Sequence, residues 1–181
     1  MKIGIFCSAN ENIDPDFFSL TKELGEWMAS EGHTLVFGGT NMGLMDCVAK
    51  AVHEGGSSVV GVVPTIVEKN GRASAYNDVE IPCDNLSDRK DILLLQSDII
   101  IALPGGMGTL DEVFSVAASH TIGYHNKKVI LYNMKGFWNK LIETIDKLET
   151  DGFIRGNWHD YILVADSLED IKRFASEAIE Y

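Results

Sequence analysis

Four short stretches of this chain have the residue types and spacing to handle a phosphorylated ligand. Pro104-Gly105-Gly106-Met107-Gly108-Thr109 follows directly on the all-apolar run Ile99-Ile100-Ile101-Ala102-Leu103 and precedes an amphipathic segment. Glycine has no Cβ, so backbone N–H groups in such a turn can approach an anion closely. A helix beginning there adds unpaired N–H groups and a partial positive charge. A phosphate-binding turn is the chemistry this supports best; the plainer alternative is a tight turn that needs glycine for its dihedrals alone. Gly38-Gly39-Thr40-Asn41-Met42-Gly43 is a second glycine-rich loop, and two such loops at one sheet edge make a nucleotide-sized cradle. Glu112 closes a Thr109-Leu110-Asp111-Glu112 pattern with capping-box spacing. It is equally placed to face the sugar of a nucleotide one turn above the phosphate, and spacing leaves the two roles even. Arg89-Lys90 stands near a predicted helix start, where the dipole disfavours cations unless an anion or carboxylate compensates.

Familiar nucleotide loops do not fit. No lysine follows the glycines, as GxxxxGK[ST] requires, and GxGxxG would need glycine where Asp111 stands. The turn after the first strand, Cys7-Ser8-Ala9-Asn10, has no glycine to admit a pyrophosphate. NAD binding and ATP hydrolysis are both disfavoured.

The elements that must position these residues alternate strand and helix along almost the whole chain. Strands are predicted over residues 3–7, 34–37, 58–63, 99–103, 129–132 and 161–164, with a short one at 79–82. Asp14-Pro15 opens the first helix as N-cap and first helical residue. Residues 64–78 read as a long polar loop, a length that is often functional. Ser87 is expected to cap the helix carrying Ile92 to Leu95. A further helix runs from about Thr109 to Ile122, another over about Phe137–Leu148, and Ser167 opens the last with capping-box spacing. This pattern predicts a single α/β domain: a Rossmann-like, mostly parallel sheet with helices on both faces. Ligands then sit beyond the carboxyl ends of the strands. Three loops should converge there: Ser8-Ala9-Asn10, Gly38 to Gly43, and the turn after Leu103.

The 181 residues suffice for a sizeable core. A formal charge of −12 argues against a nucleic-acid polymer or an anionic membrane surface as partner, while leaving a single nucleotide possible. Cys7, Cys47 and Cys83 are scattered and read as buried reduced thiols. His33, His53, His120, His125 and His159 have no metal-ligand spacing. The N-terminus is strand-like rather than a signal peptide, and no apolar run approaches the roughly 20 residues of a membrane span, so a cytoplasmic location is expected.

Gly38-Gly39-Thr40-Asn41-Met42-Gly43-Leu44-Met45, Arg89-Lys90 and Pro104 through Glu112, in this order and spacing, resemble the LOG ("Lonely Guy") family across roughly residues 3–165. Its members are cytokinin riboside 5′-monophosphate phosphoribohydrolases, often mislabelled lysine decarboxylases. The resemblance implies hydrolysis of the N-glycosidic bond of a nucleoside 5′-monophosphate, such as a cytokinin riboside monophosphate or AMP, to base and ribose 5-phosphate. It implies no metal or cofactor, and a homodimer with the site near the subunit interface. The family's catalytic arginine and glutamate fall on Arg89 and Glu112. Ser8, Gly38, Gly39, Thr40, Gly43, Met45, Lys90, Pro104, Gly105, Gly106, Met107, Gly108, Thr109 and Asp111 are the expected substrate-binding set. Glu112 would orient or deprotonate the attacking water, and Arg89 would hold Glu112 or touch substrate. Leu86-Ser87, Asp46 and Ala118-Ser119 depart from the family pattern in ways that bear on the base pocket. Two other readings compete: a non-catalytic carrier of a phosphorylated ligand such as the molybdenum cofactor, and a pyridoxal-dependent decarboxylase, which needs a Schiff-base lysine.

Overall fold

The computed structural model describes residues 1–179. Seven strands, β1 (Lys2–Phe6), β2 (Thr34–Phe37), β3 (Val59–Pro64), β4 (Val79–Cys83), β5 (Ile99–Ala102), β6 (Val129–Tyr132) and β7 (Ile162–Ala165), form one sheet in the order β4-β3-β2-β1-β5-β6-β7. Every pairing is parallel. The connecting helices are α1 (Pro15–Ser30), α2 (Gly43–Glu54), α3 (Thr65–Lys69), α4 (Leu86–Gln96), α5 (Met107–Thr121), α6 (Asn139–Thr150) and α7 (Leu168–Ile179). This is the Rossmann-like α/β architecture expected from the alternation.

Side chains alternate across the sheet with period two. Ile3, Ile5, Ile99 and Ile101 enter a core with Leu24 and Met28 of α1, Leu44 and Val48 of α2, and Ile171 of α7. Phe6, Ile100 and Ala102 face the opposite way, onto Leu93 of α4, Val113 and Val116 of α5, and Ile145 of α6. Both faces of the central strands are therefore covered, which is why β5 is apolar at every position.

The chain builds β1 to β4 outward in one direction, then returns to place β5 beside β1 on the other. Loops leaving β1 and β5 diverge to opposite sides, and the crevice between them is where such sheets bind ligands. The loops are tied together at this point. Ser8 N–H donates to the Pro104 carbonyl (3.1 Å), and Leu44 N–H donates to the Ser8 carbonyl (2.9 Å).

Several element boundaries differ from expectation, each for a local reason. Helix α5 begins at Met107, not Thr109, with Gly106 as an N-cap that has no side-chain bond. Thr109 thus lies inside the first turn and caps nothing. Asn85, not Ser87, caps α4, accepting from Ser87 N–H (2.8 Å) and Asp88 N–H (3.0 Å). The stretch from 64 to 78 is not all loop: β3 runs on through Pro64 and α3 follows at once. Ahead of α6 a 3-10 turn occupies Met134–Gly136, and β7 starts one residue late, at Ile162. Asp14 and Ser167 do serve at their helix starts: Asp14 accepts from Asp16 N–H (3.0 Å) and Ser167 from Asp170 N–H (3.2 Å).

Candidate active site

At the crevice lies a cavity of about 430 Å³ lined by all three converging loops. Its β5 wall is Gly106, Gly108 and Thr109, the first turn of α5. First-turn N–H groups have no helical carbonyl to bond, so Met107, Gly108 and Thr109 turn donors and the positive end of a 15-residue helix towards this crevice. Gly105 admits the turn's tight fold: a Cβ there would overlap the Thr109 side chain.

Glu112 lines the cavity about a turn and a half further along α5 and is only 7% exposed. Its Oε1 accepts from Arg89 Nη1 at 3.0 Å. The capping role left open by the sequence is absent, because the cap position is Gly106 and the carboxylate is engaged with α4 instead. Burial pushes the Glu112 carboxyl up from its ordinary 4.5 to about 7. Desolvation is the largest cause; the Arg89 and Lys90 cations oppose the rise, and the Asp111 carboxylate adds to it. The result is a carboxyl close to half ionised at neutral pH.

Arg89 is held by a snug floor. A Cβ on Gly38 would overlap its guanidinium and the Met45 methyl, so only glycine at the end of β2 leaves room for the arginine. Its Nε is buried and has no acceptor among the described residues. Lys90 turns the other way: its Nζ reaches Asp111 Oδ2 (2.8 Å) and Ser115 Oγ (2.9 Å). The dipeptide Arg89-Lys90 on α4 thus meets the dipeptide Asp111-Glu112 on α5, cation to carboxylate at both positions. These carboxylates compensate the cations that the start of α4 disfavours.

The expected binding set divides accordingly. Ser8, Gly38, Thr40, Met45, Gly106, Gly108 and Thr109 line the cavity with Arg89 and Glu112. Gly39, Gly43, Pro104 and Gly105 lie outside it and shape its loops instead. Gly43, at φ +58°, runs so close to the backbone of Ala9 and Asn10 that a Cβ would overlap it. Lys90 and Asp111 form the clasp just described, and the Met107 side chain is 83% exposed, outside the cavity. The remaining lining residues are Cys7, Ala9, Met42, Pro64, Arg72 and Leu86. Ala9 and Met42 sit in loops already marked by the sequence. Cys7 reads as an ordinary buried thiol, and burial does push its pKa well up. Only the length of the 64–78 segment hinted at Arg72.

Fold and cavity define an α/β protein with a buried carboxylate–guanidinium pair and an uncapped helix N-terminus at the switch point of its sheet. A family model described as possible lysine decarboxylase matches residues 45–173. Among curated relatives, the probable cytokinin riboside 5′-monophosphate phosphoribohydrolase LOGL2 of Oryza sativa is 35% identical, over 94% of this chain and 70% of its own. The Arabidopsis thaliana enzyme LOG3 is 33% identical, over 97% and 82%. This chain belongs to the LOG family. Among solved structures, the molybdenum cofactor binding protein of Rippkaea orientalis superposes with a TM-score of 0.75 at 24% identity, covering 98% of this chain and 96% of that one. The Moco carrier protein of Chlamydomonas reinhardtii gives 0.73 at 22%, covering 99% and 97%. At these identities the likeness concerns the fold.

The decarboxylase description can be tested on residues. Pyridoxal chemistry needs a lysine amine projecting into the ligand site. No lysine lines this cavity among the described residues, and Lys90 is bound to Asp111 and Ser115. The residues present do not fit that cofactor.

Proposed function

We propose that this protein hydrolyses the N-glycosidic bond of a nucleoside 5′-monophosphate, releasing the free base and ribose 5-phosphate. The observation that carries the reading is Glu112: a buried carboxyl with a pKa of about 7, bonded to Arg89, beside an uncapped helix N-terminus. The 5′-phosphate would accept N–H bonds from the first turn of α5, bringing the anomeric carbon to the height of Glu112. Ionised Glu112 takes a proton from the attacking water as the water oxygen bonds to C1′ and the C1′–N bond breaks; the base leaves with that bond's electron pair and takes up a proton, from Glu112 or from solvent, to become the free base. The same negative charge favours the oxocarbenium character of the ribosyl ring, as carboxylates do in glycoside hydrolysis. General-base assistance of this kind is worth ~10²–10⁴-fold. Arg89 orients the carboxylate, and its unpartnered Nε offers a donor for substrate. The relatives' names, cytokinin riboside 5′-monophosphate phosphoribohydrolases, point to the same bond; cytokinin ribotides and AMP are the first substrates to try.

The test is release of free base and ribose 5-phosphate from a panel of nucleoside 5′-monophosphates, beside the matching nucleosides. Turnover is expected for monophosphates and to be far slower for nucleosides, which lack the anchor. A carrier of a phosphorylated ligand would bind without releasing base from any of them. The Arg89–Glu112 pair favours the enzyme, since a carrier has no use for a buried carboxyl poised to ionise.

We further infer a homodimer in the cytoplasm that engages neither nucleic-acid polymers nor membranes. Leu86 and Leu95 on α4 and Phe114 on α5, with Ile122 and Tyr124 just beyond it, are large apolar side chains left exposed, and exposed apolar surface on these two helices favours a protein partner. Among the described residues no helix is long and apolar enough to cross a membrane.

A further inference from the structure

Residues 72–77 form a strap fastened across the glycine loop of β2. The Arg72 carbonyl accepts from Asn41 N–H (2.9 Å) and Thr40 Oγ1 (3.1 Å), and Thr40 pairs with Ala73 in an isolated antiparallel bridge. The Gly39 carbonyl accepts from Ser74 N–H (2.8 Å) and Asn77 Nδ2 (3.3 Å). The Asn77 side chain also packs on Gly61 of β3, where a Cβ would overlap it. Thr40 and Met42 belong to the loop so fastened, and both line the cavity. Strap and cavity wall are therefore one bonded unit.

Helix α2 supplies the rest of the attachment. Asp46 and His53 stand seven residues apart and so share a helix face. Ser74 Oγ donates to Asp46 Oδ1 at 2.8 Å. The Tyr76 ring packs on that of His53, with 5.8 Å between centroids, and His53 Nδ1 lies 3.1 Å from Asp78 Oδ1. These contacts differ in strength. The His53–Asp78 pair is well exposed and holds weakly. Ser74 is 4% exposed, the one buried residue of the strap. Its hydroxyl makes a charge-assisted bond, and a buried hydroxyl is costly to leave unpaired. A segment with so little burial opens more readily than the core, so the Asp46–Ser74 bond governs how often this one does. Asp46 is also one of the residues that depart from the family pattern, and this latch is accordingly not part of that pattern.

We propose that Asp46 is a positioning residue: through Ser74 it latches the strap over the glycine loop and holds Thr40 and Met42 as the cavity wall, so that strap closure and ligand binding favour one another. This rests on the cavity being the nucleotide site of the hydrolase reading. The reacting groups, Arg89 and Glu112, lie on α4 and α5, so the latch acts on binding and not on the chemical step.

The test is amide hydrogen exchange at Ser74 and Asn41, whose N–H groups bond strap to loop, in the full chain carrying Glu112→Gln, which keeps AMP intact. AMP at about 100 times its Kd should slow both amides ~10-fold or more, as a ligand that binds the closed strap must. Adding Asp46→Ala should speed both ~10-fold without ligand and raise the calorimetric Kd for AMP ~10-fold, the scale of one charge-assisted bond. Ser74→Ala, which breaks the same bond from the other side, should match it at Asn41. Asp46→Asn loses the charge but keeps the acceptor, and should stay within about threefold of the parent. With Glu112 restored, Asp46→Ala should raise KM and leave kcat and the pH profile in place. Exchange indifferent to bound AMP, an AMP affinity unchanged by Asp46→Ala, or Asp46→Asn as damaging as Asp46→Ala overturns the proposal. The two readings fail separately. Exchange coupled to AMP without base release by the wild type sinks the hydrolase alone, and base release with exchange indifferent to bound AMP sinks this inference alone. AMP that does not bind at all overturns both.

Discussion

At Glu112 desolvation and a neighbouring cation pull in opposite directions, and their balance sets the pKa of the carboxyl. Because the carboxyl titrates at about 7, the ionised form that the proposed mechanism uses grows in as pH rises through neutrality. The kcat/KM profile of the free enzyme is expected to climb about tenfold per pH unit below 7 and to level off above it. Arg89 lowers the Glu112 pKa, so Arg89→Ala should move that rising limb to higher pH as well as depress its plateau. A limb that stays in place would show that Arg89 acts only on substrate. The sequence put Glu112 at the right spot yet left its role even. Thr109 and Glu112 have capping-box spacing, and only the helix start at Met107 and the approach of α4 separate the two roles. Both depend on packing between segments distant in sequence.

Two helices hold the Arg89–Glu112 pair in register. Helices α4 and α5 meet through Arg89–Glu112 and Lys90–Asp111, but these bridges differ in kind. The first is mostly buried, whereas Asp111 is half exposed, so the second contributes about 0–1 kcal/mol at most. Lys90→Ala should accordingly change stability little. Gly38→Ala should act on activity far more, because its methyl would occupy the place of the Arg89 guanidinium. We expect kcat to fall ~10-fold or more with the fold retained; unchanged kcat would mean that the arginine can reach Glu112 from another rotamer. The Pro104–Thr109 turn and the Gly38–Gly43 loop were legible because their signal is local: glycines between an apolar strand and a helix. Arg72 was not, because its place depends on a strap bonded to residues about thirty positions earlier. Nor was the clasp of Lys90 to Asp111 legible, and Lys90 therefore looked like a ligand residue.

For the molecule as a whole, the buried carboxyl makes stability depend on pH. Folded Glu112 keeps its proton up to about 7, while the unfolded chain releases it near the ordinary 4.5. The stability linked to this proton is present in full below the lower value and is lost as pH rises through the upper one, by up to about 3 kcal/mol. Urea melts at pH 5 and pH 8 should show the wild type losing about 2 kcal/mol more than Glu112→Gln over that interval. Equal losses would mean that the carboxyl is already ionised at pH 5. Strand–helix alternation made the parallel sheet, and the edge where its three glycine- and serine-bearing loops converge, plain from sequence. Its oligomeric state was implied by resemblance alone, and light scattering should give twice the 19.9 kDa chain mass if the exposed apolar residues around α4 and α5 are an interface.

The most direct measurement compares wild type and Glu112→Gln for both binding and base release with a nucleoside 5′-monophosphate that the wild type turns over. Binding within about threefold of wild type, an unchanged far-UV spectrum and release slowed ~10²-fold or more are expected. Release at an undiminished rate by the folded variant would contradict the assignment of Glu112 as the general base.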